Sequence, residues 1–166
     1  MIFTNALIID DDPIFRLVAE DALRALDVET VSVAVDGVEG LQSIVDADVA
    51  YDLIICDLQM PNLDGVSVVR ELANINFPGA LIIASSEADA VISAVQRMAI
   101  MVGIRILGAL KKPLTVEGLK QLLRQARHAN EAITGKPMTR HALKEVLSKR
   151  LVVCLLYTSP SPRDRG

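Results

Sequence analysis

The stretch CDLQMPNLDG, residues 56–65, decides how this chain is read. It closes a strand-length apolar run at 53–56 on a carboxylate, Asp57, and then changes direction sharply. Pro61 cannot continue a strand ladder, and Asp64-Gly65 is turn chemistry with Asp64 placed to cap a helix. Beyond the turn, Val66, Val69, Leu72 and Ala73 recur at helical spacing. The unit is therefore strand, acidic tip, tight turn, amphipathic helix. It repeats outward in both directions. Further apolar runs lie at 6–9, 31–35, 80–84 and 105–110, rich in Ile, Val and Leu, as suits strands buried on both faces of a parallel sheet.

The intervening stripes are Ile14, Leu17, Val18, Ala22, Ala25 and Leu26; Val38, Leu41, Ile44 and Val45; Val91, Val95, Met98 and Val102; and Val116, Leu119, Leu122, Leu123 and Ala126. Five strand–helix units in this order predict a doubly wound α/β domain with helices on both sheet faces. Asp36-Gly37 and Pro78-Gly79 mark further joints, and Gly103 stands where a left-handed helix cap belongs. The domain is expected to span residues 1–127.

The 166 residues are 51% apolar and carry a formal charge of −4, enough chain for one real core plus an appendage. That charge, with no Lys/Arg cluster, argues against a nucleic-acid surface. Two cysteines, Cys56 and Cys154, form neither a disulfide framework nor a zinc site, and Cys56 reads as a small buried hydrophobe. The N-terminus lacks the basic region of a signal peptide, and the charge-free run at 72–86 falls short of the ~18 residues a membrane span needs. A cytoplasmic location away from membranes is expected.

In an open α/β sheet, ligands bind beyond the carboxyl ends of the strands. Here the first strand ends in Asp10-Asp11-Asp12, the third in Asp57, the fourth in Ser85-Ser86 and the fifth in Lys111-Lys112-Pro113. Asp12 precedes Pro13 and is most economically the cap of the first helix, leaving Asp10 and Asp11 as metal candidates. Taken alone, the three aspartates could equally be a solvated turn. Counted with the other strand ends, they predict a crevice holding carboxylates, a hydroxyl and an ammonium. Clustered carboxylates repel unless a cation neutralises them, and oxygen-only ligands favour a hard ion such as Mg²⁺ alongside phosphate.

The ordered set IIDDDP at 8–13, CDLQMPNLDG at 56–65, a hydroxyl after ALIIA at 80–84, and LKKP at 110–113 resembles the receiver domain of two-component response regulators, of the chemotaxis type. The resemblance covers about the first 127 residues and implies a flavodoxin-like (βα)5 fold with strand order 2-1-3-4-5. It implies that Asp57 accepts a phosphoryl group from a histidine kinase or phosphotransfer protein. It further implies Mg²⁺ on Asp11, Asp57 and the backbone carbonyl of Gln59, with Asp10 through water, and Lys112 on a phosphoryl oxygen. Lys111 reads as a surface residue. The Lys112–Pro113 bond is expected to be cis. Ser85 would bond the phosphoryl group on switching, while Gln59 and Glu87 stand where side chains govern water access to the acyl phosphate. One position departs: Ala109 stands where the family's switching aromatic belongs, which leaves the aromatic part of the relay without a residue. His128 and His141 are assigned no phosphorelay role.

Other classes fit less well. A haloacid-dehalogenase-type phosphatase needs its nucleophile in a D-x-D motif after the first strand; Asp10 to Asp12 offers the spacing, but Pro13 and the setting of Asp57 fit poorly. A dinucleotide-binding module would need a Gly-rich first turn.

Past the domain, residues 128–138 read as a linker around Gly135-Lys136-Pro137, and 139–153 as the start of a truncated output domain. VGIRILGALKKPLTVEGL and HALKEVLSKRL resemble receivers fused to Glu-Ala-Leu (EAL) cyclic-di-GMP phosphodiesterase domains. The competing expectations are a DNA-binding output or none. No catalytic residue of the phosphodiesterase is present, so the chain as given is expected to be a phospho-accepting signalling domain and no enzyme. By the same family likeness, the face of the fourth helix, fifth strand and fifth helix is expected to meet the output domain or a second copy. CLLYTSPSPRD, within 154–166, resembles a translated sequencing adapter and is excluded from the fold.

Overall fold

The computed structural model describes residues 3–129 and Glu145. The order is β1 (Asn5–Ile9), α1 (Pro13–Ala25), β2 (Thr30–Ala34), α2 (Gly37–Asp46), β3 (Leu53–Asp57), α3 (Gly65–Asn74), β4 (Ala80–Ser85), α4 (Asp89–Met101), β5 (Arg105–Lys111) and α5 (Val116–Ala129). All pairings are parallel and the strand order is β2-β1-β3-β4-β5, the flavodoxin-like (βα)5 arrangement. The linker, output-segment and adapter expectations fall on residues 128–166; α5 continues through 128 and 129, and the rest lie outside the described residues apart from Glu145.

Strand alternation divides the core in two. Leu7, Ile9, Ile54, Cys56, Leu81 and Ile83 face a cluster completed by α2, α3 and α4. Ala6, Ile8, Leu53, Ile55, Ala80, Ile82 and Ala84 face α1 and α5. With both faces covered, β1, β3 and β4 are buried along their whole length, and each buried Leu or Ile contributes about 1.5–3 kcal/mol. The helix entries are capped by the expected carboxylates. Asp12 accepts from the Ile14 N–H with Pro13 at the first helical position, Asp36 accepts from Glu39, and Asp64 from Ser67. Gly103 closes α4 with φ +86°.

Two stripes differ from the expected phase. In α1 the buried residues are Phe15, Ala19, Ala22 and Leu23, whereas Ile14 and Leu17 are 71% and 61% exposed. In α4 the buried residues are Ile92, Val95 and Ala99, while Val91 and Val102 are exposed. Both helices carry two apolar sets at helical spacing. Ala22 in α1 and Val95 in α4 belong to both sets; Ala19 and Ala99 lie on the faces that meet the sheet, where a small side chain lets the helix axis approach closely.

Candidate metal and phosphoryl-acceptor site

The carboxyl ends of β1, β3, β4 and β5 converge. Asp57 is the last residue of β3 and Ser85 the last of β4, each one residue later than the apolar runs suggested. The β3–α3 turn needs its glycine: a Cβ on Gly65 would collide with the Asp57 carbonyl oxygen and come within 2.8 Å of Leu58 Cα. The same loop is tied to the start of α2, where Asn62 Nδ2 donates to Asp36 Oδ2 at 2.8 Å.

Asp10 is completely buried and Asp57 nearly so. The Asp12 N–H donates to Asp10 Oδ1 at 2.8 Å, and Arg16 Nη1 donates to the Asp10 carbonyl oxygen at 2.7 Å. One carboxylate oxygen from each of Asp10, Asp11 and Asp57 lies within 4.8 Å of the others. Lys112 enters from beyond β5, its Nζ 2.6 Å from Asp10 Oδ2 and 3.4 Å from Asp57 Oδ2. Its ammonium also sits 4.5 Å from the centroid of the Phe15 ring. The Lys112–Pro113 bond is cis.

Two carboxylates share one ammonium with a third beside them, and the electrostatics register the imbalance. Burial, then the Asp10 charge, pushes the Asp57 carboxyl above its ordinary value, against the lowering pull of Lys112. Burial works against the charged form of Lys112, but hydrogen bonding and attraction to Asp10, then Asp57, outweigh it and hold the ammonium above its ordinary value. The Cys56 thiol is pushed up by burial and then by Asp57, so it stays protonated at neutral pH and is no competing nucleophile.

The residues fit a hard divalent cation. The donors are all oxygen, and two of the three carboxylates are buried. Asp12 stands outside the cluster, as the α1 cap. Gln59 is exposed in the β3–α3 loop, its N–H 3.4 Å from Asp57 Oδ1. The Ser85 hydroxyl is buried and accepts from the Glu87 N–H at 3.1 Å, leaving its own proton to donate elsewhere. Lys111 turns outward to Asp89 at the start of α4, 2.8 Å away.

Two contributors escaped sequence reasoning, Phe15 and Arg16. The only signal for Phe15 was an aromatic residue in a chain with 3% aromatics, within a turn of the acidic triplet.

Among the described residues, no helix is long and apolar enough to cross a membrane. The chain is 35% identical over 120 residues to the cyclic di-GMP phosphodiesterase RocR of Pseudomonas aeruginosa, covering 72% of this chain and 30% of that protein. It is 31% identical over 143 residues to the positive alginate biosynthesis regulatory protein of the same organism, covering 80% of this chain and 52% of that protein. The chain thus spans about a third to a half of these relatives. Among solved structures it resembles a response regulator receiver domain protein from Clostridium thermocellum, with TM-score 0.64, 25% identity, and coverage of 79% of this chain and 99% of that one. The chemotaxis protein CheY4 of Vibrio cholerae superposes with TM-score 0.61 at 25% identity, covering 74% and 98%. The response regulator receiver domain family matches residues 6–124, and with the acidic crevice at its strand ends the chain belongs to that family of two-component signalling domains.

Proposed function

We propose that Asp57 is the residue that takes the phosphoryl group. The observation that carries this reading is the meeting of Asp10, Asp11 and Asp57 around one point, with the Lys112 ammonium against two of them. A carboxylate oxygen of Asp57 attacks phosphorus, the bond from phosphorus to the donor nitrogen breaks, and the departing imidazole takes up a proton. An ionised carboxylate needs no general base, so catalysis reduces to positioning and charge neutralisation. Asp10, Asp11, Asp57 and the Gln59 backbone carbonyl would hold Mg²⁺, which when bound offsets the charge of the phosphoryl oxygens. Lys112 supplies a point charge to another of those oxygens. The Ser85 hydroxyl, with its proton unused, bonds a third and couples the event to the β4–α4 loop.

The donor is a histidine kinase or phosphotransfer protein. Exposed Ile14, Leu17 and Val18 on α1, next to a cleft of about 390 Å³ bounded by Pro113 and Leu114, offer an apolar face beside the acceptor. The output is a cyclic-di-GMP phosphodiesterase domain in the longer protein, a reading supported by the likeness to RocR. Exposed Ile100, Met101 and Val102 at the end of α4 extend the face offered to that domain or to a second copy.

Incubation with acetyl phosphate and Mg²⁺ is expected to add one phosphoryl mass to the protein. The adduct should vanish in Asp57→Ala and in excess EDTA. An adduct that survives either change overturns this reading.

A further inference from the structure

The Phe15 ring is a built part of the acceptor site. Phe15 is 6% exposed on the buried face of α1, and its ring carries the Lys112 ammonium 4.5 Å from its centroid. The ammonium is held unevenly, closer to Asp10 than to Asp57, and the Lys112 side chain is only 16% exposed. A lysine has four rotatable side-chain bonds, and its two carboxylate partners would draw the ammonium down between them. The negative face of an aromatic ring supplies a third, uncharged attraction from another direction. It does so without adding a further anion to a crevice that already holds three. Resting on the reading of Asp57 as acceptor, we infer that Phe15 is a positioning residue. Through its π-face it holds Lys112 where an incoming phosphoryl oxygen must pass.

The test separates ring electronics from ring bulk. Phe15 is replaced site-specifically by phenylalanines bearing one, two and three ring fluorines, which keep the shape while weakening the negative face. Phosphorylation rate constants with acetyl phosphate are then measured at saturating Mg²⁺. The rate is expected to fall stepwise with fluorine count, and Phe15→Leu to lose roughly three- to tenfold while Phe15→Tyr retains most of it. In a Lys112→Ala background the fluorine series should be flat. In the metal-free protein, the Lys112 ε-methylene proton resonances should lie upfield from the ring current and return toward ordinary values in Phe15→Leu. A flat fluorine series in the native background, or unshifted ε-methylene resonances, overturns the role of Phe15 and leaves Asp57 as acceptor intact. Failure of the unsubstituted protein to take up phosphate overturns the acceptor reading itself.

Discussion

The two ends of the sheet treat their carboxylates in opposite ways, half-buried Asp52 at one and buried Asp10 and Asp57 at the other. At the amino end, the Asp52 carboxylate accepts from the Thr4 N–H at 2.8 Å, the Thr4 hydroxyl at 3.1 Å and the Asn5 N–H at 3.1 Å. Asn5 Nδ2 in turn donates to the carbonyls of Val49 and Ala50. That end clamps the start of β1 to the loop before β3, and its anion is met by ordinary donors. At the carboxyl end, Asp10 and Asp57 face each other across one ammonium. Negative charge there exceeds what the chain itself neutralises. One end is arranged for stability, and the other keeps an electrostatic conflict that a ligand can relieve.

Removing the single ammonium should sharpen the contrast most. Lys112→Ala, without divalent cation at neutral pH, is expected to lower unfolding free energy by about 3 kcal/mol, because it leaves buried anions uncompensated. Urea denaturation reads the loss, and added Mg²⁺ should recover much of it. An unchanged midpoint would mean that the crevice is better solvated than its burial implies.

Breaking the other end should cost about 2 kcal/mol: Asp52→Ala strips the acceptor from two backbone donors. The phosphorylation rate of the folded variant should stay unchanged, since Asp52 precedes β3 at the opposite end from Asp57. A rate that falls with stability would show the two ends to be coupled.

The smallest effect carries the opposite sign. The folded-state pKa of Asp57 is raised, so the folded protein holds this proton more tightly than the unfolded chain. In EDTA, stability should therefore decline as pH rises from the ordinary carboxylate range through the raised value, then level off. Asp57→Asn should remove that slope and gain on the order of 1 kcal/mol at neutral pH. Thermal unfolding from acidic to neutral pH measures it, and a variant less stable than its parent would contradict the sign.

Much of this arrangement was legible in the residues. The apolar runs located all five strands, and Asp12-Pro13 and Asp64-Gly65 marked helix starts because capping is local chemistry. The rule that ligands gather at the carboxyl ends of parallel strands then predicted one crevice for Asp10, Asp11, Asp57 and Lys112. The phase of α1 was not legible. Ile14, Leu17, Val18, Ala22, Ala25 and Leu26 make a longer stripe than Phe15, Ala19, Ala22 and Leu23, and periodicity alone ranks the longer set first. That one rotation hid Phe15, which in the wrong phase would face solvent.

The sequence by itself determined the order of strands and helices, the caps and the identity of the acidic tips, since each depends on neighbours a few positions apart. Only the tertiary structure decided which side of α1 meets the sheet, how one lysine divides itself between two carboxylates, and that a phenyl ring lies beneath it. Those outcomes depend on distances between residues about a hundred positions apart, set when the helices pack on both faces of the sheet at once.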